Sequence, residues 1–170
     1  SSRKYISPSS RNISEMDLKE IIDSNFSKYN LKPRTGQIEL IEQIINCFIS
    51  GKRNVVVSAS TGVGKSIIGI IVADTLFQIL KIDRSAYNNI AVILMHNKAL
   101  QRQYIDSFSK YKNFLNVMGA SNYKCKHLKS TADDCIKKLF KNHKFNLSGC
   151  KTCKYWKMRT EMVSKDFIIT

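Results

Sequence analysis

The 170-residue chain is short of acidic residues and contains no long hydrophobic run. It has 13 Asp and Glu against 28 Lys and Arg, a formal net charge of +15. No apolar run approaches the roughly 20 residues that cross a bilayer, and the basic, serine-rich start has no apolar signal-peptide core. We therefore expect no membrane partner and a cytoplasmic or nucleoid location (bacterial, phage or viral-host cytosol), where cysteines stay reduced or bind metal.

The positive charge is concentrated in the second half of the chain. From Lys98 onward there are 16 Lys and Arg against 5 Asp and Glu, so +11 of the +15 lies in the last 73 residues. A basic surface this uneven suggests a polyanion as partner. The alternative is a lysine-, asparagine- and isoleucine-rich composition that reflects AT-rich coding, although coding bias alone would spread the lysines evenly.

The hydrophobic pattern predicts alternating helices and strands after a disordered basic arm at residues 1–13. Apolar residues recur at helical spacing from Ser14, from Thr35 to Gly51, and over residues 65–81. Short β-branched runs at residues 54–58 and 90–95 predict buried strands, and Asn97 is placed to cap a further helix. Strand, loop, helix, strand, helix is the order of an α/β protein with a parallel sheet.

The stretch ASTGVGKS, residues 59–66, lies between a predicted strand and a predicted helix. Its glycines let successive backbone N–H groups turn toward one anion, and the helix N-terminus adds a favourable dipole. Lys65 then contacts the β- and γ-phosphates of ATP, and Ser66 ligates Mg²⁺. The alternative is a glycine-rich turn with an incidental Lys-Ser pair. The predicted nucleotide site is Ala59, Ser60, Thr61, Gly62, Val63, Gly64, Lys65 and Ser66.

With alanine at position 59, the loop resembles the A-x-x-G-x-G-K-[ST] form of superfamily 2 helicases rather than that of small kinases or GTPases. Upstream, Arg34-Thr35-Gly36-Gln37 resembles the R-x-x-Q element of the same helicases. The resemblance implies a RecA-like motor domain and adds Arg34 and Gln37 to the nucleotide site. In that family the glutamine amide reads the adenine edge, which requires a paired donor and acceptor.

Downstream, residues 91–108, AVILMHNKALQRQYIDSF, resemble motif Ia of these helicases. Leu100, Gln101 and Gln103 match the motif, whereas His96 and Asn97 replace its threonines. The resemblance implies that Asn97, Lys98 and Gln101 contact nucleic acid. His96 is equally compatible with a partly buried histidine at the strand end. Residues 14–116 are thus expected to be the first part of motor domain 1.

Four of the five cysteines lie late in the chain, spaced C-x9-C-x14-C-x2-C. These four cysteines all lie in one lysine-rich segment of 29 residues. Such clustering predicts a metal site. The spacing does not separate Zn²⁺, for which His127 and His143 are further ligands, from an iron–sulfur cluster. Unligated reduced thiols are the remaining alternative. The candidate ligands are Cys125, Cys135, Cys150 and Cys153.

The segment MGASNYKC, residues 118–125, resembles the G-x-S-N-Y-x-C segment of DinG-type helicases, relatives of XPD. Residues 150–170 resemble that family's final cluster cysteine with the helix and strand that follow it. In those enzymes a [4Fe–4S] domain is inserted in the first motor domain. The resemblance, which covers residues 26–170, implies a small four-cysteine iron–sulfur insertion at residues 117–160. It also implies a strand at residues 161–170 that returns to the motor domain.

Aromatic residues alternate with lysines around the cysteines. Tyr123 and Lys124 are adjacent, and Tyr155 and Trp156 follow Lys154. Aromatic faces beside cations suit single-stranded DNA, because bases stack on the rings and lysines follow the phosphates. The alternative is that these rings pack around the metal site.

The resemblance therefore implies the N-terminal part of an ATP-dependent DNA helicase that acts in DNA repair on single-stranded DNA or DNA junctions. No hydrophobic strand ends in Asp-Glu, and Asp133-Asp134 lies in a polar segment. We expect the isolated chain to be inactive as an ATPase, with a second chain as the possible source of the remaining helicase motifs. The alternative is a non-catalytic nucleotide- and nucleic-acid-binding module with a structural zinc site. A small-molecule kinase shares the loop but has no use for four late cysteines.

Overall fold

The computed structural model describes residues 15–60, 62–80, 90–110, 114–125, 130–142, 153–165 and 167–170. The chain divides into two compact units, Ser1–Asp83 and Arg84–Thr170. The predicted arm at residues 1–13 lies outside the described residues, as do Thr61 and Cys150. Among the helices that are described, none is long and apolar enough to cross a membrane.

The described residues of the first unit form three helices: α1 (Glu15–Lys28), α2 (Gln37–Ile49) and α3 (Lys65–Ile79). Each of them packs against the other two. On α2 the buried side chains recur at intervals of three or four residues, so they form one apolar stripe (Ile41, Ile44 and Ile45). All three helices confirm the predicted helical pattern, although α2 begins two residues later than expected.

Two buried hydrogen bonds fix the register of α1 against α3. The Asn25 side-chain amide donates to the Thr75 hydroxyl at 3.0 Å, and both side chains are fully buried. Directly after the end of α1, the Tyr29 hydroxyl donates to the Asp74 carboxylate at 2.8 Å. Because a buried polar group that loses its partner is costly, these pairs favour a single packing arrangement of the two helices.

The strand predicted at residues 54–58 is wrong for this structure. Residues 54–60 are described and contain no strand, and the Val56 side chain is 96% exposed. A strand forms only when its N–H and C=O groups pair with a neighbouring strand. The described residues of this unit supply no such neighbour, so a β-branched sequence alone does not produce the element.

The second unit contains a three-stranded parallel sheet. Its strands are β1 (Ala91–Ile93), β2 (Phe114–Asn116) and β5 (Phe167–Ile169), in the order β1-β5-β2. All three residues of the central strand are buried, as expected where both faces of a parallel sheet are covered. Ile93 accepts from the Thr170 amide at 3.0 Å, which extends the pairing past the strand end. The parallel sheet and the strand predicted at 90–95 are confirmed, with a shorter β1.

Helix α4 (Lys98–Phe108) follows β1 and begins at the predicted cap. The Asn97 side-chain oxygen accepts from the Leu100 amide at 2.9 Å, so this N-cap is confirmed. The ring centroids of Tyr104 and Phe108 lie 4.9 Å apart, and both side chains are buried. Burial raises the pKa of the Tyr104 phenol well above its usual value, because the charged form is poorly solvated there.

Between β2 and β5, the part of the chain that the structure describes forms a small antiparallel ribbon and two α-helices. Strand β3 (Lys124–Cys125) pairs antiparallel with β4 (Ser130–Thr131). Helix α5 (Ala132–Asn142) follows directly, and α6 (Lys154–Glu161) precedes β5. Short 3-10 turns lie at Ala120–Asn122 and Met162–Ser164. Helix α5 was not predicted from the apolar pattern, although Thr131 and Asp134 carry the signature of a capping box.

Candidate nucleotide site and nucleic-acid interface

The phosphate loop of the first unit leads directly into α3. Gly62 has φ of 88° and Gly64 has φ of 83°, both in the left-handed region that favours glycine. Gly64 is the N-cap of α3, and no described side chain caps this helix end. Lys65 and Ser66, the first two residues of α3, are exposed. The loop thus ends at an open helix N-terminus with a cation beside it, which is the arrangement that binds phosphate.

Arg34 and Gln37 hold this loop by its carbonyl groups. The Arg34 guanidinium nitrogen Nη1 donates to the Gly62 oxygen at 2.7 Å. The Gln37 side-chain nitrogen Nε2 donates to the Val63 oxygen at 2.6 Å. The structure therefore brings the R-x-x-Q element and the phosphate loop together.

The Gln37 side chain is enclosed, with only 2% of its surface exposed. Its oxygen Oε1 accepts from the Arg34 backbone amide at 2.8 Å. Both the oxygen and the nitrogen of its amide group therefore form hydrogen bonds with backbone atoms of the chain. This contact with the loop was missed from the sequence, because the R-x-x-Q spacing places the glutamine near the nucleotide without saying which atoms it meets.

The described cysteines do not form a metal-binding group. Cys125 is buried at the end of β3, while Cys135 on α5 and Cys153 before α6 are half-buried. Among the residues that the structure describes, no three Cys, His, Asp or Glu side chains are close enough to hold a metal ion. The fourth candidate, Cys150, lies outside that part of the chain. The three described thiols therefore do not come together as a metal site by themselves.

The predicted nucleic-acid residues at the start of α4 differ in accessibility. Asn97 and Lys98 are exposed, and the Lys98 ammonium donates to the Asn122 side-chain oxygen at 2.6 Å. Gln101 is only 6% exposed, and its side-chain nitrogen donates to the Val117 and Ile169 oxygens at 3.1 and 3.3 Å. Gln101 thus joins the ends of two strands in the sheet, which is a structural contact.

The aromatic residues beside the ribbon form a chain of edge-to-face contacts. The Tyr123 and Tyr155 ring centroids are 5.6 Å apart, and those of Tyr155 and Trp156 are 5.7 Å apart. All three rings are half-buried, whereas Lys124 and Lys154 are exposed. The rings therefore pack on one another and remain partly accessible next to exposed lysines.

A phosphate loop at a helix N-terminus and a parallel sheet in a mixed α/β chain are the features of a RecA-like, P-loop nucleotide-binding protein. A family model described as "Type III restriction enzyme, res subunit" matches residues 30–168. Because this match covers more than half of the chain, the chain belongs to that family. The matched region is the N-terminal region of a superfamily 2 helicase-like protein, within the general class of helicases and ATPases. ATP and Mg²⁺ are ligands that suit a domain of this class. Searches of curated proteins and of solved structures found no match.

Proposed function

We propose that this chain is the ATP-binding part of an ATP-dependent DNA helicase. The observation that carries the proposal is the phosphate loop with two left-handed glycines, tied by Arg34 and Gln37 and opening on exposed Lys65 and Ser66. Bound Mg²⁺ neutralises charge on the β- and γ-phosphate oxygens in enzymes of this kind. In this chain Lys65 would supply a further positive charge to those oxygens, and Ser66 would hold the ion.

Replacement of Lys65 tests this role. The Lys65→Ala variant should bind ATP roughly 10- to 100-fold more weakly, because it removes a charge-assisted hydrogen bond of about 1.5–3 kcal/mol. Lys52→Ala is the matched control, since Lys52 is an exposed lysine of the same unit outside the loop. Affinity is measured by displacement of a fluorescent ATP analogue. Equal affinities of the two variants would contradict the proposed role of Lys65.

We propose that single-stranded DNA binds to the second unit, along Asn97, Lys98, Tyr123 and Lys124. Supporting features are the exposed lysines, the half-buried aromatic rings beside them and the excess of positive charge after Lys98. Gln101 supports this surface indirectly, because it holds the strand end that precedes Tyr123. Stacking on an aromatic ring contributes about 1–3 kcal/mol per base, and each lysine adds a salt-dependent phosphate contact.

Two substitutions separate these contributions in a fluorescence-anisotropy titration with an oligothymidine probe. Lys124→Ala should weaken binding and lower the slope of log affinity against log salt by about 0.7, the value for one phosphate contact on a single strand. Tyr123→Ala should weaken binding without changing that slope. Lys19→Ala is the control, since Lys19 is an exposed lysine on α1 of the first unit. If Lys19→Ala has the same effect as Lys124→Ala, the attraction is unspecific and the proposed surface is wrong.

We further propose that the four cysteines hold an iron–sulfur cluster, as in DinG- and XPD-type helicases. This proposal rests on the spacing of the cysteines and on the MGASNYKC segment. Anaerobic purification followed by metal analysis tests it: about four irons with sulfide support the cluster. One zinc instead favours the non-catalytic module with a structural zinc site. The metal should be lost in Cys125→Ser and kept in Cys47→Ser, and a protein without bound metal would contradict both forms.

A further inference from the structure

The Gln37 side chain is a buried polar group in a position where solvent cannot replace its partners. With 2% of its surface exposed, it depends on the Arg34 amide at 2.8 Å and the Val63 carbonyl at 2.6 Å. A buried amide that loses such partners destabilises the protein, because it keeps the cost of leaving water without regaining a hydrogen bond. The hydrogen bond to Val63 is therefore a strong constraint on the loop and not an incidental surface contact.

The two anchored carbonyls determine where the loop amides point. In a trans peptide the C=O and the following N–H point in opposite directions, and no cis peptide is present in the described residues. Arg34 holds the Gly62 oxygen, so the Val63 N–H is directed away from Arg34. Gln37 holds the Val63 oxygen, so the Gly64 N–H is directed away from Gln37. The two contacts thus orient two successive amide donors of the phosphate loop in advance of ligand binding.

The closeness of Gln37 to the loop backbone explains the glycine at position 64. A Cβ atom built on Gly64 would lie 2.7 Å from the Gln37 Nε2 atom. At Gly62, where φ is also positive, a Cβ atom would meet no described atom within 4 Å. The loop is therefore in direct contact with Gln37 at Gly64, and a side chain at that position would displace the amide.

We propose that Gln37 is a positioning residue for the phosphate loop, and that it supports triphosphate binding regardless of the base. This inference rests on the proposed nucleotide-binding function. Adenine recognition by the Gln37 amide, which the helicase resemblance implies, would require this enclosed group to leave the partners that hold the loop. Because the amides it orients bind phosphate oxygens, the effect of Gln37 extends equally to ligands that have another base or none.

The test is the affinity of Gln37→Met for ATP, GTP and inorganic tripolyphosphate, measured by isothermal titration. Methionine keeps the length and volume of the side chain but has no amide, so the core around it stays filled. We expect affinity to fall about tenfold for all three ligands, by factors that agree within about threefold, as the loss of one or two hydrogen bonds predicts. Gln43→Ala is the control, since Gln43 is an exposed glutamine on the same helix.

A second measurement separates positioning from a general loss of structure. Gln37→Met should retain the helical circular dichroism spectrum of the unsubstituted chain at the temperature of the titration. A fall confined to ATP would overturn the inference in favour of adenine recognition and leave the proposed function intact. Unchanged affinity for all three ligands would also overturn it. If the unsubstituted chain binds none of the three, the proposed function itself fails.

Discussion

Alanine substitution at the two left-handed glycines of the loop gives the sharpest energetic test of the structure. Gly62 and Gly64 have nearly equal φ, 88° and 83°, so an alanine at either site is strained by about 1–2 kcal/mol. The gain from a less flexible unfolded chain is also the same at both sites and cancels in the comparison. The two variants should therefore differ only through their surroundings.

Those surroundings make Gly64→Ala the more destabilising change. The Gln37 amide can move away from the new methyl group only by giving up its hydrogen bonds to Arg34 and Val63. Each bond contributes about 0.5–1.5 kcal/mol, so Gly64→Ala should lower the free energy of unfolding by about 1–3 kcal/mol more than Gly62→Ala. Urea unfolding followed by circular dichroism measures this difference.

A double-mutant cycle shows whether Gln37 is the cause. In the Gln37→Ala background the extra cost of Gly64→Ala should disappear, because the atom that the new methyl group meets is absent. If the two glycine variants are equally stable in the unsubstituted chain, the close approach of Gln37 is refuted. The same conclusion follows if the difference persists without Gln37.

Three further predictions concern the packing of each unit. Tyr29→Phe removes a hydrogen bond to the buried Asp74 carboxylate and should lower the free energy of unfolding by about 1.5–3 kcal/mol in urea; no loss would contradict the pairing. Asn97→Ala should cost about 0.5–2 kcal/mol as a lost N-cap, with Asn97→Ser retaining most of the stability. Since burial raises the pKa of Tyr104, folded protein keeps this proton while the unfolded phenol ionises near pH 10. Stability is thus fully present below about pH 10 and falls as the pH rises further, and this alkaline loss should be smaller in Tyr104→Phe.

Elements with strong local signals were predictable from the sequence. Helices α2 and α4 have one apolar face each, and α4 also has an asparagine cap, so periodicity and a cap placed them to within about two residues. The turn of the phosphate loop was predictable for a similar reason. It depends on the positive φ at Gly62 and Gly64, which is a local property of the backbone. The parallel sheet followed from the order of elements, whereas its register did not.

Features that depend on distant partners were not predictable. The valines at residues 55–57 favour a strand, but pairing decides whether it forms, and here it does not. Helix α5 begins at the Thr131–Asp134 capping box, in which the Thr131 hydroxyl and the Asp134 carboxylate are 2.9 Å apart. Unlike the strand, this helix has a local signal, because the apolar residues of its sequence, ADDCIKKLFKN, recur at helical spacing. The contact between Gln37 and Val63 joins residues 26 positions apart, and no local pattern encodes it.

The central claim is that residues 59–66 bind the triphosphate of a nucleotide. Isothermal titration of the chain with ATP and Mg²⁺ tests it most directly, with Lys65→Ala and Lys52→Ala titrated in parallel. The claim predicts one binding site in the unsubstituted chain and in Lys52→Ala, competition by tripolyphosphate, and affinity lowered roughly 10- to 100-fold in Lys65→Ala. Absence of binding at millimolar ATP, or binding that Lys65→Ala leaves unchanged, would contradict it.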